Sequence, residues 1–272
     1  MEVALVQMRS GIDPAENVAT ASALIRAAAA DGATFIATPE TTHLVQKDAD
    51  AAFAVMRTPE DDPAIPVFAA LAKDLGIWLL IGSLAVRIGE RLAANRSYLF
   101  SPAGKIAATY DKAHMFNVGL GQGETYRESD NYQAGDRLVV QDIDGARLGL
   151  SICYDVRFAY LYRRLAQAGA QILTVPAAFT KPTGRAHWDV LLRARAIETG
   201  SFVLAPAQGG LHADGRKTWG HSIIIGPWGE TVAELDHDNP GLLRASLDLR
   251  KVAEARRRVP ALEHDRELAG PF

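Results

Sequence analysis

Short apolar runs rich in β-branched residues alternate with amphipathic stretches of helical period along the chain. Residues 3–7 read as a buried strand, and residues 13–32 as a helix with both ends marked. Asp13 can cap that helix, Pro14 fits its first turn, Glu16 supplies a capping-box acid and Asp31-Gly32 closes it. The same pattern predicts strands over 34–39, 77–83, 146–152, 171–176, 201–207, 221–226 and 242–249. Helices are predicted over 63–75, 158–168 and 186–199, stopped by Gly76, Gly169 and Gly200. Residues 97–111 read as a hairpin turning at Ala103-Gly104, and 226–230 as a turn into 231–235. A basic helical tail begins at Arg250.

Strand and helix alternate to the end, and no low-complexity run divides residues 1–272, so the reading is one α/β domain. Several strands alternate apolar and polar positions instead of being apolar throughout. Such strands suit a sheet with helices on one face and a second sheet on the other. The longest stretch without clear periodicity is 113–137, and a loop of that length is a candidate lid.

Charge narrows the function. The 29 Lys and Arg against 32 Asp and Glu leave a net charge of −3, without the basic footprint of a nucleic-acid binder or of a polybasic membrane-surface protein. No apolar run is long enough for a membrane span, and the N-terminal stretch lacks the features of a signal peptide. One cysteine excludes an internal disulfide framework and points to a reducing compartment. The expectation is a soluble, cytoplasmic protein.

That cysteine, Cys153, closes a predicted strand just before a helix, in SICYDVRF. A lone cysteine is often a small buried hydrophobe; at a strand end facing a helix start it can also be a nucleophile, with backbone N–H groups nearby. No histidine comes with a thiol-protease signature around it. Glu40 follows the apolar strand FIATP, where desolvation would raise its pKa into the range of a general base; it also reads as a solvated loop acid. Lys112, in TYDKAHMF, ends another strand at the start of the candidate lid. It could hold an oxyanion and favour a thiolate, or be a surface lysine.

Together, TPET around Glu40, YDKAHMF around Lys112 and ICYDVRF around Cys153 resemble the nitrilase superfamily of carbon–nitrogen hydrolases. The resemblance runs on through PAAFTKPTGRAHWDVLLRARAIETGSFVLAPAQGG and WGHSIIIGPWGE, and is strongest to the Nit-type amidases. That branch includes amidases of deaminated glutathione and of 2-oxo-acid omega-amides. The resemblance implies a four-layer α-β-β-α sandwich that uses no metal or organic cofactor. It also implies a homodimer, with the tail over about 250–272 at its interface. The implied roles are Glu40 as general base, Cys153 as nucleophile, and Lys112 with the Tyr154 N–H as oxyanion partners. A second glutamate falls on Glu128, in YRES, with Glu124 the other claimant.

The reaction so implied is hydrolysis of a small carboxylate-bearing amide through a cysteine thioester, releasing ammonia. Deaminated glutathione is favoured over 2-oxoglutaramate. Nitrilase or N-carbamoyl amino acid hydrolase chemistry is the alternative, and an inactive binding protein the non-enzymatic one. Lys181 and Arg185, the cations of AAFTKPTGRAHW, are the candidate carboxylate partners. The glycine run 119–123 lacks nucleotide-loop spacing, and no HExxH or CxxC pattern suggests a metal.

Overall fold

Asp13 opens the first helix as its sequence predicts, its side chain accepting from the Ala15 and Glu16 N–H groups, and the chain then weaves between strand and helix throughout. The computed structural model describes residues 1–121 and 124–270. The first half contains β1 (Glu2–Gln7), α1 (Pro14–Ala30), β2 (Phe35–Ala37), α2 (Ala49–Val55), α3 (Ala64–Leu75), β3 (Trp78–Gly89), β4 (Leu92–Phe100) and β5 (Ile106–Asp111). A small hairpin, β6 (Asn117–Gly121) with β7 (Glu124–Arg127), follows. The second half continues with β8 (Val140–Ile143), β9 (Ala146–Leu150), α4 (Ala159–Gln167), β10 (Ile172–Thr174), α5 (Lys181–Thr199) and β11 (Phe202–Ala205). It ends with β12 (Gly209–Leu211), β13 (Lys217–Trp219), β14 (Ile223–Ile225), β15 (Thr231–Glu234), β16 (Gly241–Ser246) and α6 (Arg250–Arg258).

Two six-stranded sheets result, ordered β16-β1-β2-β3-β4-β5 and β15-β14-β11-β10-β9-β8. Three neighbouring strands in the middle of each run parallel: β1-β2-β3 in one, β9-β10-β11 in the other. The period-2 alternation explains how the sheets stack. Val3 and Leu5 of β1 join the core that also holds Leu148, Leu150 and Ile172 of the second sheet. Ala4 and Val6, pointing the other way, pack with Ile25 of α1 and Phe68 of α3. Phe35 and Ala37 against Ile36 repeat the division in β2. On the far side, Leu161 and Leu165 of α4 and Leu192 of α5 cover the second sheet. The fold is the four-layer α-β-β-α sandwich.

The structure revises the sequence reading in three places that bear on the site. Residues 113–137 are not without secondary structure, since β6 and β7 pair inside them. The helix expected from residue 186 begins at Lys181, with Thr180 as its N-cap and a proline in its first turn. Gly184 obscured that start; a Cβ there would collide with Trp219, so close helix–hairpin packing requires glycine. The strands expected over 77–83 and from residue 97 extend to Gly89 and back to Leu92, forming a β3–β4 hairpin that carries Asn95 into the interior. Residues 250–265 dock on their own chain, through buried Val252 and Ala255 and the Arg163–Asp265 pair. Among the described residues, no helix is long and apolar enough to cross a membrane.

Candidate active site

Glu40, Lys112 and Cys153 each follow the end of a strand, β2, β5 and β9, and the stacking of the two sheets brings these ends together. Glu40 leaves β2 through a tight turn in which Thr41 takes φ 51°. Gly82 makes that turn possible, because a Cβ at this position would strike the Thr38 and Pro39 carbonyls. Gln208 Nε2 donates to the Glu40 carbonyl at 3.1 Å, and the Thr41 N–H to Ser83 Oγ at 2.8 Å.

The charged groups interlock. Lys112 Nζ donates to Glu40 Oε1 at 2.9 Å and to Glu128 Oε1 and Oε2 at 3.0 and 2.9 Å. Asn95 Nδ2 donates to Glu40 Oε1 at 2.9 Å and to Glu128 Oε1 at 3.3 Å. The Ala178 N–H donates to Glu40 Oε2 at 2.9 Å, and the Phe116 N–H to Glu128 Oε2 at 2.6 Å. The described geometry thus places Glu128 beside the lysine; the Glu124 side chain lies outside the described residues.

Cys153 sits at φ 49°, in the left-handed region that non-glycine residues avoid. Such strain persists only where the surroundings over-determine it. The Cys153 N–H donates to Pro176 O at 2.9 Å. Asp155, fully buried, accepts the Ile152 N–H at 2.9 Å, the Tyr110 hydroxyl at 2.8 Å and the His114 N–H at 3.0 Å; its Oδ1 also lies 2.7 Å from His114 Nδ1. It therefore ties the cysteine turn to the strand that carries Lys112. The Tyr154 N–H, in the first turn of the short 3₁₀ helix Cys153–Arg157, has no backbone acceptor among the described residues.

Burial pushes the Glu40 carboxyl up, but the Lys112 ammonium and hydrogen bonds from Cys153, Lys112 and Asn95 outweigh it, holding the pKa below the ordinary carboxylate value. This corrects the expectation of a raised glutamate: desolvation acts as foreseen, and a buried cation at contact distance overrides it. Burial disfavours the Lys112 cation, yet the charges of Glu128 and Glu40 hold it well above the usual lysine range. Burial and the Glu40 carboxylate raise the Cys153 thiol well above its usual value, against a partial pull from Lys112. The resting site is a neutral thiol beside a carboxylate that is itself paired with an ammonium. A thiol beside a ready proton acceptor, with a cation and a free N–H nearby, can attack a carbonyl and stabilise the resulting oxyanion.

These groups open into a cavity of about 830 Å³. Lys181 lines it but is paired with Asp238 at 2.6 Å, and Arg185 is exposed and is not among the lining residues. Asn95, the Ala178 N–H, Asp155 and the lining residues Tyr132 and Arg216 were not singled out from sequence. Asp155 and Ala178 lie within stretches that carry the resemblance. The others reach the site through tertiary structure, with no local signal. Among the described residues, no group of three or more His, Cys, Asp or Glu is placed to hold a metal ion. Part of the glycine run 119–123 lies outside the described residues.

Both the sequence and the fold have known relatives. The profile of the carbon-nitrogen hydrolase family matches residues 2–257. The chain is 38% identical over 267 residues to the deaminated glutathione amidase of Yersinia enterocolitica, covering 97% of this chain and 92% of that protein. Its fold superposes on the NitFhit protein of C. elegans with a TM-score of 0.89 at 32% identity, over 97% of this chain and 65% of that one. An amidase from Nesterenkonia sp. AN1, caught with acrylamide added to its active-site cysteine, matches with a TM-score of 0.81 at 27% identity, over 96% of this chain and 98% of that one.

Proposed function

The chain belongs to the carbon–nitrogen hydrolase family, and from that premise we propose that Glu40, Lys112 and Cys153 carry its amide hydrolysis, with Glu128 positioning the lysine. The carrying observation is the continuous chain of contacts from thiol to Glu40 to Lys112 to Glu128 at the wall of the cavity.

The steps follow from the protonation states. Glu40 takes the Cys153 proton as sulfur bonds to the amide carbon, and the carbonyl π electrons move onto oxygen. Lys112 and the Tyr154 N–H hold that oxyanion. It collapses, the C–N bond breaks, and protonated Glu40 gives its proton to the leaving nitrogen. The product is an amine, or ammonia from a primary amide, and the acyl group remains as a thioester. Glu40 then takes a proton from water as the water attacks. The C–S bond breaks, and the proton returns to sulfur. Both attacks, by the thiol and by water, start from an ionised Glu40, which its lowered pKa supplies.

The substrate reading is a small carboxylate-bearing amide, of the deaminated glutathione kind before 2-oxoglutaramate. It rests on the activity named for the Yersinia relative and on a cavity of about 830 Å³, which is roomy for a tripeptide-sized molecule. The test is mass spectrometry of enzyme quenched during turnover of deaminated glutathione. An acyl adduct on Cys153, and less than a few per cent of wild-type rate in folded Cys153→Ser, are the expected results. Sustained turnover by Cys153→Ser would overturn the thioester mechanism.

A homodimer in a reducing, cytoplasmic setting completes the proposal. Val190 and Ile197, seven residues apart on α5, are exposed apolar side chains that a copy of the chain would cover. Light scattering after size exclusion reads the oligomeric state directly.

A further inference from the structure

The cavity has a second wall that the chemistry above does not use. Arg216, Lys217 and Thr218, at the β12–β13 turn, line it together with Lys47 and Tyr132. The turn is rigidly built. Gly215 N–H donates to His212 O at 2.9 Å and His212 N–H to Arg216 O at 2.8 Å. His212 itself is buried, with Nδ1 2.8 Å from Ser10 O and Nε2 2.7 Å from Thr218 Oγ1. The Asp214 side chain, only 1% exposed, accepts from Arg216 Nε at 2.7 Å and from the Arg216 N–H at 2.9 Å.

This holds the guanidinium by its Nε edge. Among the described residues, neither Nη group of Arg216 has a protein acceptor, and the Tyr132 hydroxyl has no protein partner either. An arginine braced from behind, with two N–H-bearing nitrogens free on a cavity wall, is set up for a carboxylate. Tyr132 lines the same cavity as Arg216, Lys112 and Glu40, and burial and the Glu128 charge raise its phenol above the ordinary value. The other cations are less suited. Lys181 is already paired with Asp238, Arg185 is off the cavity wall, and Lys47, Arg127 and Lys217, which also line it, are exposed chains that no carboxylate among the described residues braces.

We propose that Arg216 is the carboxylate anchor of this cavity, taking a substrate carboxylate on its free guanidinium nitrogens while Tyr132 donates to a neighbouring oxygen. The anchor rests on the amidase reading and sharpens it. It selects amides that carry a carboxylate at a distance from the scissile bond. That carboxylate belongs either to the acyl half or to the leaving amine.

The experiment compares wild type, Arg216→Gln and Arg216→Lys on matched amides. 2-Oxoglutaramate is set against 4-oxopentanamide, in which a methyl group replaces the acyl-side carboxylate. Deaminated glutathione is set against its C-terminal amide, which lacks the leaving-side carboxylate. In Arg216→Gln, kcat/KM falls through KM, and the fall on the carboxylate-bearing member of one pair exceeds that on its uncharged partner by about tenfold or more. The pair that shows the difference identifies the anchored end. Arg216→Lys, which keeps the charge without the fork, loses less. Equal losses on charged and uncharged members of both pairs overturn the anchor, and Arg216→Lys decides it should Arg216→Gln fail to fold.

Glutarate titrated into folded Cys153→Ala, with and without Arg216→Gln, separates this inference from the amidase reading. Binding at least about tenfold weaker in the double variant supports the anchor even where no amide is turned over. Equal binding, or none in either protein, overturns it.

Discussion

The two turns that meet at the site are built on opposite principles. Both leave the end of a parallel strand, and both place a non-glycine residue at positive φ, Thr41 at 51° and Cys153 at 49°. At the first turn the reactive group is a charge, and side chains hold it: Lys112 and Asn95 grip Glu40 Oε1, with a single N–H from Ala178 on the other oxygen. At the second turn the reactive group is a neutral thiol, and it is placed through its backbone: the strained residue is the nucleophile itself, its N–H donating to Pro176 O, while the Asp155 side chain accepts the neighbouring Ile152 N–H. A buried charge has to be compensated by other charges, so its neighbours answer for its energy. A buried thiol needs only position. Damage to the first turn is therefore large and pH-dependent, and damage to the second smaller and mainly kinetic.

Lys112→Met puts the greatest weight on that contrast. It leaves Glu40 and Glu128 facing each other, with side chains only 6% and 14% exposed and no cation between them. Removing one partner of a buried ion pair costs about 3–5 kcal/mol, and kcat falls by about a hundredfold or more because the oxyanion loses its cation. The sign with pH follows from Glu40. In the wild type its folded pKa is lowered, so its stabilisation is present above the ordinary carboxylate pKa and is lost as pH falls through the folded value. Without Lys112, burial dominates and the folded pKa rises above the unfolded one. The variant then gains relative stability as pH falls. The gap in melting temperature should narrow between about pH 8 and pH 5; a constant gap would mean that the lysine does not set the charge state of Glu40.

Glu128→Gln is the milder cut on the same side, since Lys112 keeps Glu40 as a partner. The loss of stability should be about 1–3 kcal/mol, and kcat should fall more than KM rises, because the lysine is misdirected while the cavity persists. A pure KM effect would make Glu128 a substrate contact. Asp155→Asn cuts the other turn. The amide NH₂ meets one of the donors that Asp155 now accepts, at a similar cost of about 1–3 kcal/mol. The alkylation rate of Cys153 by iodoacetamide and kcat should both change, with KM nearly unmoved. An unaltered alkylation rate would show that Asp155 does not position the nucleophile.

The sequence made the two turns unequally legible. Glu40, Lys112 and Cys153 could be placed at strand ends because the runs before them are apolar enough to read as strands, and the motifs around them supplied the resemblance. The alternation noted along several strands suggested a second sheet, while β1 and β2 are apolar on both faces and divide their residues between the two cores. Asn95 was hidden in LAANRS, whose small residues give a weak strand signal although it lies deep in β4. The β6–β7 hairpin was missed because a two-stranded ribbon outside the main sheets has no buried face to impose period-2 apolarity. Residues 181–185 were read as a loop because Pro182 and Gly184 lower helix propensity locally, while the packing of Gly184 on Trp219 is a tertiary fact. The direction of the Glu40 pKa failed for the same reason: burial can be inferred from an apolar strand, but the lysine that overrules it arrives from residue 112.

The smallest expected effect tests the first turn alone. Thr41 is β-branched at φ 51°, a conformation that costs about 1–2 kcal/mol for such a residue. Its hydroxyl donates to the Glu40 carbonyl at 2.8 Å, which returns about 0.5–1.5 kcal/mol. Thr41→Gly removes both the strain and the hydrogen bond, and adds about 0.5–1 kcal/mol of unfolded-state entropy. The contributions nearly cancel, so stability should shift by less than about 1 kcal/mol. Activity should change little as well. If side chains hold the Glu40 carboxylate, loosening the backbone beside it leaves Lys112, Asn95 and the Ala178 N–H in place. Steady-state kinetics of Thr41→Gly should then show kcat within about threefold of wild type. A fall of about a hundredfold in a folded protein would mean that the base depends on its backbone as the nucleophile does, and the contrast between the two turns would be lost.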